Sequence, residues 1–212
     1  MLDAISSVAG RDFKRMLPWP FHPRASKQVV ALECSGECIK LAQVDVSGKS
    51  RKVMKLAART VVLQEDMPKT LLNLMEEGFV SADSVLISVP RNLVTVRNLQ
   101  LPTTDPKELR EMVNLQAVKQ TPFLKDEIIA DFHVVRSDPE GFSDVILVTT
   151  HRSVPNSNLN TLDEVQLQAA GVRLSSQGVF HTYQLLRGES ATEDGEPVAI
   201  VDIDSAFSDF MV

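Results

Sequence analysis

Two acid-ended turns offer this chain its best material for chemistry. Val30-Ala31-Leu32 runs as an apolar strand into Glu33, then Cys34, Ser35 and Gly36, and a second apolar strand carrying Lys40 follows. Val198-Ala199-Ile200-Val201 does the same into Asp202, then Ile203, Asp204 and Ser205, with Asp209 beyond. At a constant offset the repeat pairs Glu33 with Asp202, Ser35 with Asp204 and Lys40 with Asp209. Backbone N–H groups at two facing turns of this kind can hold a polyphosphate. The candidate nucleotide-binding residues are therefore Glu33, Ser35, Gly36, Lys40, Asp202, Asp204, Ser205 and Asp209.

Charge works against that reading. Glu33, Glu37, Asp202, Asp204 and Asp209 would surround a polyanion, with Lys40 the one cation in either motif. At ~4 Å and an effective dielectric of ~20, each like-charge pair costs about 4 kcal/mol. Magnesium offsets part of this, but it suits one or two carboxylates rather than five.

Other chemistry finds less support. Cys34 and Cys38 supply two of the four ligands a structural zinc needs, with His22 the nearest histidine, so they read as small buried thiols. His133, His151 and His181 accompany no nucleophile motif, which leaves a hydrolytic triad without residues. Asp105, Glu108 and Glu111 fall in the first turns of a helix, where they complement its dipole. No catalytic residue and no metal ligand is expected.

The elements that must position these residues follow from periodicity. Residues 29–33, 38–46 and 53–63 read as a three-stranded meander with its hairpin turn at Ser47-Gly48-Lys49-Ser50. Asp66 and Pro68 open a helix carrying Leu71, Leu72, Leu74 and Met75, and Gly78 ends it. The strand Val85 to Val89 closes on Pro90. A second module starts at Asn92, with a strand from Leu93 to Leu101. Asp105-Pro106-Lys107-Glu108 then has the pattern of a capping box for a helix that aligns Leu109, Met112, Val113, Gln116, Ala117 and Gln120. Strands at 127–135 and 144–149 lead to a helix through Leu159, Leu162, Val165 and Ala169, capped by Gly171, and to a strand at 172–176. That order is β-α-β-β-α-β. A short helix at 180–186 and an acidic linker at 188–197 return the chain to its terminal repeat.

With 212 residues, 43% of them hydrophobic, the chain can bury one sizeable core or two small ones. A net charge of −6 with the 22 Lys and Arg scattered excludes a nucleic-acid footprint. No apolar run approaches the ~20 residues of a membrane span, and two cysteines make no disulfide framework, so a reducing, cytoplasmic setting is expected. In residues 1–28, Leu2, Ile5, Val8, Ala9, Phe13, Met16 and Leu17 share one helical face until Pro18-Trp19-Pro20 stops it. Arg11, Lys14 and Arg15 rule out a signal peptide. Such a helix packs on its own domain, docks to a partner or lies on a membrane surface.

The blocks Val30 to Leu41, Leu99-Gln100-Leu101-Pro102, Glu108-Leu109, Gln120-Thr121-Pro122-Phe123 and Val201-Asp202-Ile203 with Ser205 and Asp209 stand in a familiar order. In that order the chain, over about residues 29 to 212, resembles the PilM family of actin-like type IV pilus assembly proteins and the related cytoplasmic domain of the type II secretion protein GspL. The resemblance implies an α/β, actin-like (ribonuclease H-like) half with an inserted subdomain, the second half of the fold being absent from this chain. The expected boundaries are 1–28 for the N-terminal extension, 29–91 for the first segment of subdomain 1A and 92–176 for the inserted subdomain 1C. Residues 177–197 return to 1A, and 198–212 start subdomain 2.

The implied role is a non-catalytic cytoplasmic scaffold at the inner face of the cytoplasmic membrane. It binds the cytoplasmic N-terminal tail of a bitopic inner-membrane partner and links it to the assembly ATPase. Peripheral membrane association and homo-oligomerisation stay open, the latter because an apolar edge at Phe207 to Val212 would template dimers. No cofactor is expected, ATP and Mg being possible only if a second half is present. The alternative is an ATP-binding or ATP-hydrolysing protein whose remaining half lies beyond this chain. The resemblance also places the partner's peptide in the cleft between 1A and 1C, walled by Leu93, Val94, Val96, Leu109, Met112, Val113 and Gln116.

Overall fold

Alternation of period two in the first third of the chain builds one half-buried sheet face. A computed structural model describes residues 28–35, 37–47, 51–63, 66–80, 84–187, 198–204 and 207–212. The N-terminal amphipathic segment, Gly36, most of the 47–50 turn, Ser205 and the 188–197 linker lie outside them. Strands β1 (Gln28–Ser35), β2 (Cys38–Asp45) and β3 (Lys52–Thr60) form the expected antiparallel meander. Strand β4 (Ser84–Val89) joins β1 in parallel after helix α1 (Met67–Glu76) crosses over. Val30, Leu32, Ile39, Leu41, Val85, Ile87 and Val89 share a buried face and pack on Leu71 and Leu74 of α1. Each such side chain contributes about 1.5–3 kcal/mol of transfer free energy. Helix α1 ends as expected, with Gly78 at φ +75° and the Phe79 amide returning to the Leu74 carbonyl.

The inserted layer consists of β5 (Val94–Leu101), α2 (Pro106–Lys119), β6 (Ile128–Ser137) and β7 (Ser143–His151), its strands ordered β5-β7-β6. Leu109, Val113 and Ala117 of α2 bury against Leu101, Ile128, Val145 and Leu147. Asp105 Oδ1 accepts hydrogen bonds from the Lys107 and Glu108 amides at 2.9 and 3.0 Å, capping α2. The reciprocal arm of the box runs through Thr103 instead. Its hydroxyl donates to Glu108 Oε2 at 2.5 Å and accepts from the Asp105 amide at 3.1 Å.

The β-α-β-β-α-β order holds, but its last helix ends sooner and its last strand starts earlier than expected. Helix α3 (Ser153–Glu164) ends three turns in, where Gln166 takes φ +60°, and does not run through Ala169 to Gly171. Ala169 and Gly171 belong to β8 (Gln168–Leu174), which pairs in parallel with β4, Gly171 facing Leu86. The reason is burial: Leu162, Val165 and Leu167 complete the first core, so the chain must turn early to lay β8 on that sheet. Gly171 thus reads as a strand residue rather than as a cap, and a Cβ there would make only ordinary contact with Leu86 Cδ2 at 3.6 Å. The five-stranded sheet has the order β3-β2-β1-β4-β8, and the insertion proper spans β5 to β7, not 92–176. Helix α4 (Ser175–Arg187) starts immediately after β8, earlier than expected, and β9 (Ile200–Ile203) with β10 (Ser208–Met211) forms a separate antiparallel pair.

Candidate functional site

The two acid-ended turns do meet. Glu33 and Lys40 are cross-strand neighbours near the turn that joins β1 to β2, and the β9–β10 pair brings Asp202 and Asp209 opposite one another. Lys40 Nζ lies 2.5 Å from Asp204 Oδ2 and 3.4 Å from Glu33 Oε1, and Ser88 Oγ donates to Glu33 Oε2 at 3.0 Å. The hydrogen bond to Asp204 leads the causes that push the Lys40 ammonium above the usual lysine range. Asp209 is pushed above the aspartate range by burial first, then by Asp202, with Arg91 opposing both. Its Oδ2 is buried with no hydrogen-bond partner among the described residues. Glu33, Lys40, Ser88, Asp202 and Asp204 line an open cleft of about 900 Å³ walled by the outer face of β1–β3, by α4 and by the hairpin. Ser35 ends β1 opposite Cys38.

Ser88 and Arg91 are the members that motif reading missed. Both sit where β4 ends, beside the end of its parallel neighbour β1. A signal was there: polar residues just past the carboxyl ends of adjacent parallel strands collect at one crevice.

The cleft fits a polyphosphate poorly. The Asp204 amide, which a phosphate would need, donates to the Phe207 carbonyl at 3.0 Å, and Lys40 is already shared between two carboxylates. Among the described residues no group of three His, Cys, Asp or Glu is arranged to hold a metal ion. Cys34 behaves as a buried thiol, pushed up to about 12 by burial, with Glu33 and Cys38 adding to it.

A second cavity, about 50 Å³, lies where the insertion joins the first sheet. Its walls are apolar: Val89, Val94, Ile129, Val148, Pro155, Val172 and Leu174. Asp131, Thr150, Arg173 and Gln177 supply its polar edge. The Oε1 of Gln177 is buried with no hydrogen-bond partner among the described residues. A buried acceptor beside apolar walls is a group awaiting a donor.

The expected groove residues divide. Val94 lines this cavity. Leu93 is 42% exposed in the short turn before β5, its carbonyl accepting from Thr150 Oγ1 at 2.8 Å, and Val96 is half-buried on β5. The α2 wall is corrected: Leu109 and Val113 are 3% and 1% exposed beneath the insertion's own sheet, Met112 packs on the same cluster, and half-buried Gln116 does not line the cavity. An amphipathic helix must spend its apolar face on the nearest sheet. Ile129, Val148, Val172 and Gln177 line the cavity with Val94, and no local pattern marks them.

No family model matches the chain, and no curated protein matches it in sequence. Among solved structures, a chain of the PilM-PilN type IV pilus biogenesis complex matches with a TM-score of 0.71 and 20% identity, over 82% of this chain and 55% of that one. The two share a fold. It is the α/β, actin-like half with an insertion that the resemblance implied. The cytoplasmic domain of EpsL, an inner membrane component of the type II secretion system of Vibrio cholerae, is more distantly similar, with a TM-score of 0.48 and 14% identity over 69% of this chain and 56% of that one. A Bacteroides thetaiotaomicron protein with an actin-like ATPase fold and unknown function follows, with a TM-score of 0.42 and 12% identity over 76% and 56%. This chain spans about half the length of the solved structures it matches. Among its described residues no helix is long and apolar enough to cross a membrane.

Proposed function

We propose that this chain is an actin-like scaffold of a type IV pilus or type II secretion platform, working at the cytoplasmic face of the inner membrane. It seats the cytoplasmic tail of an inner-membrane partner in the cavity between its first sheet and its insertion. The observation that carries this reading is Gln177 Oε1, buried and without a hydrogen-bond partner among the described residues, at the wall of a mostly apolar cavity. An extended peptide supplies both things the cavity lacks, a backbone N–H donor and an aliphatic side chain of modest size. The fold shared with a chain of the PilM-PilN complex supports the same reading. A link from the scaffold to the assembly ATPase belongs to it as well.

The test is fluorescence anisotropy with a labelled peptide covering the cytoplasmic tail of a single-span membrane protein encoded beside this chain's gene. Saturable binding is expected, weakened by Val94→Arg and by Gln177→Leu. Equal binding by both variants and the parent protein would remove the cavity from the proposal.

A further inference from the structure

We infer that Lys40 acts as a built-in latch, tying the β9–β10 hairpin to the first sheet across the cleft where the fold family would place nucleotide phosphates. The inference stands apart from the tail-binding reading, since it concerns the opposite wall of the sheet.

Three observations carry it. Lys40 and Asp204 lie 164 positions apart in sequence yet meet at 2.5 Å, so the contact is a tertiary tie between hairpin and sheet. The same ammonium reaches Glu33 at 3.4 Å, and Glu33 is fixed from its other oxygen by Ser88. One cation therefore joins the acid of the first turn to the acid of the second, which is the bridging task a ligand between two such turns performs. The backbone is committed as well, because the Asp204 amide bonds to Phe207 within the hairpin.

Bringing in a polyphosphate would require Lys40 to leave Asp204. That would set Asp204, Asp202 and Asp209 against the incoming charge, with Arg91 on the β4 side the remaining nearby cation among the described residues. Arg91 is itself anchored, its amide to Ser175 Oγ at 3.2 Å and its guanidinium to the Val94 carbonyl at 2.8 Å. Hairpin position is set by the protein's own charges, independent of nucleotide concentration.

The experiment is hydrogen exchange, followed by mass spectrometry on the whole chain, for the parent protein, Lys40→Met, Asp204→Asn, the double variant and Lys40→Arg. Because Lys40 is about two-fifths exposed, solvent screens the pair. The single neutral variants should exchange the 200–211 amides roughly three- to tenfold faster, with β1, β2 and β4 unchanged. The double variant should be no faster than the faster single variant, since both remove one interaction. Lys40→Arg should keep the protection. Raising sodium chloride from about 0.05 to about 1 M should speed exchange in the parent protein and leave Lys40→Met as it was. Unchanged hairpin exchange in both neutral variants would overturn the latch. So would saturable protection of the parent protein's hairpin by millimolar magnesium-ATP.

Discussion

The cavity at the insertion and the cleft beneath the hairpin are neighbours on one sheet with opposite needs. The cavity is mostly apolar, and one acceptor at its edge, Gln177 Oε1, has no hydrogen-bond partner among the described residues. The cleft is crowded with charge, yet its lysine already contacts two carboxylates and its turn amide is bonded within the hairpin. An unmet group invites a ligand, whereas a compensated one resists it, because any newcomer must first break what is there. The number of charged residues at a site is thus a poor guide to whether it binds anything.

That contrast can be broken at several points. The largest effect is expected from Leu109→Ala, which should cost about 2–5 kcal/mol of stability in urea unfolding because Leu109 is a core residue of the insertion. A loss of peptide binding without loss of stability would return α2 to the groove. Next comes Val94→Arg, which places a charge at the cavity wall. It should weaken tail-peptide binding by about tenfold or more while thermal unfolding shifts far less than in Leu109→Ala, Val94 being half-buried.

Asp209→Asn sharpens the other side. A carboxyl whose pKa is raised on folding costs stability while ionised, so the cost is present above the raised pKa and vanishes as pH falls below the ordinary aspartate range. The variant should therefore melt higher than the parent at pH 7, with the gain shrinking to nothing in acid. A constant gain across pH would show that burial does not raise this carboxyl's pKa on folding. The smallest effect is expected at Cys34. With its pKa near 12, it should resist iodoacetamide at pH 8 in the native protein, read by peptide mass spectrometry. Rapid labelling would mean that this end of β1 opens in solution.

Much of this was legible beforehand because it is local. Period-two alternation marked the meander, the Asp105-Pro106 pair marked the start of α2, and Gly78 marked the end of α1. The offset repeat singled out Glu33, Lys40 and Asp204, and the structure brings them into contact. Where reading failed, two principles competed and the non-local one won. Gly171 carries the signature of a helix cap, but the first core needed Leu162, Val165 and Leu167, and the glycine went into β8. The resemblance set the face of α2 at the groove, but Leu109, Val113 and Ala117 bury against the nearest sheet.

The sequence by itself determined the elements, the acid-ended turns and the charge around them, since strand period, turn chemistry and capping are settled within a few residues. Only the tertiary structure decided which acid Lys40 would hold, that β8 would close the first sheet, and that Gln177 would stand at a cavity gathered from seven elements. Those outcomes depend on burial shared between segments far apart in the chain, and no local pattern encodes a shared surface.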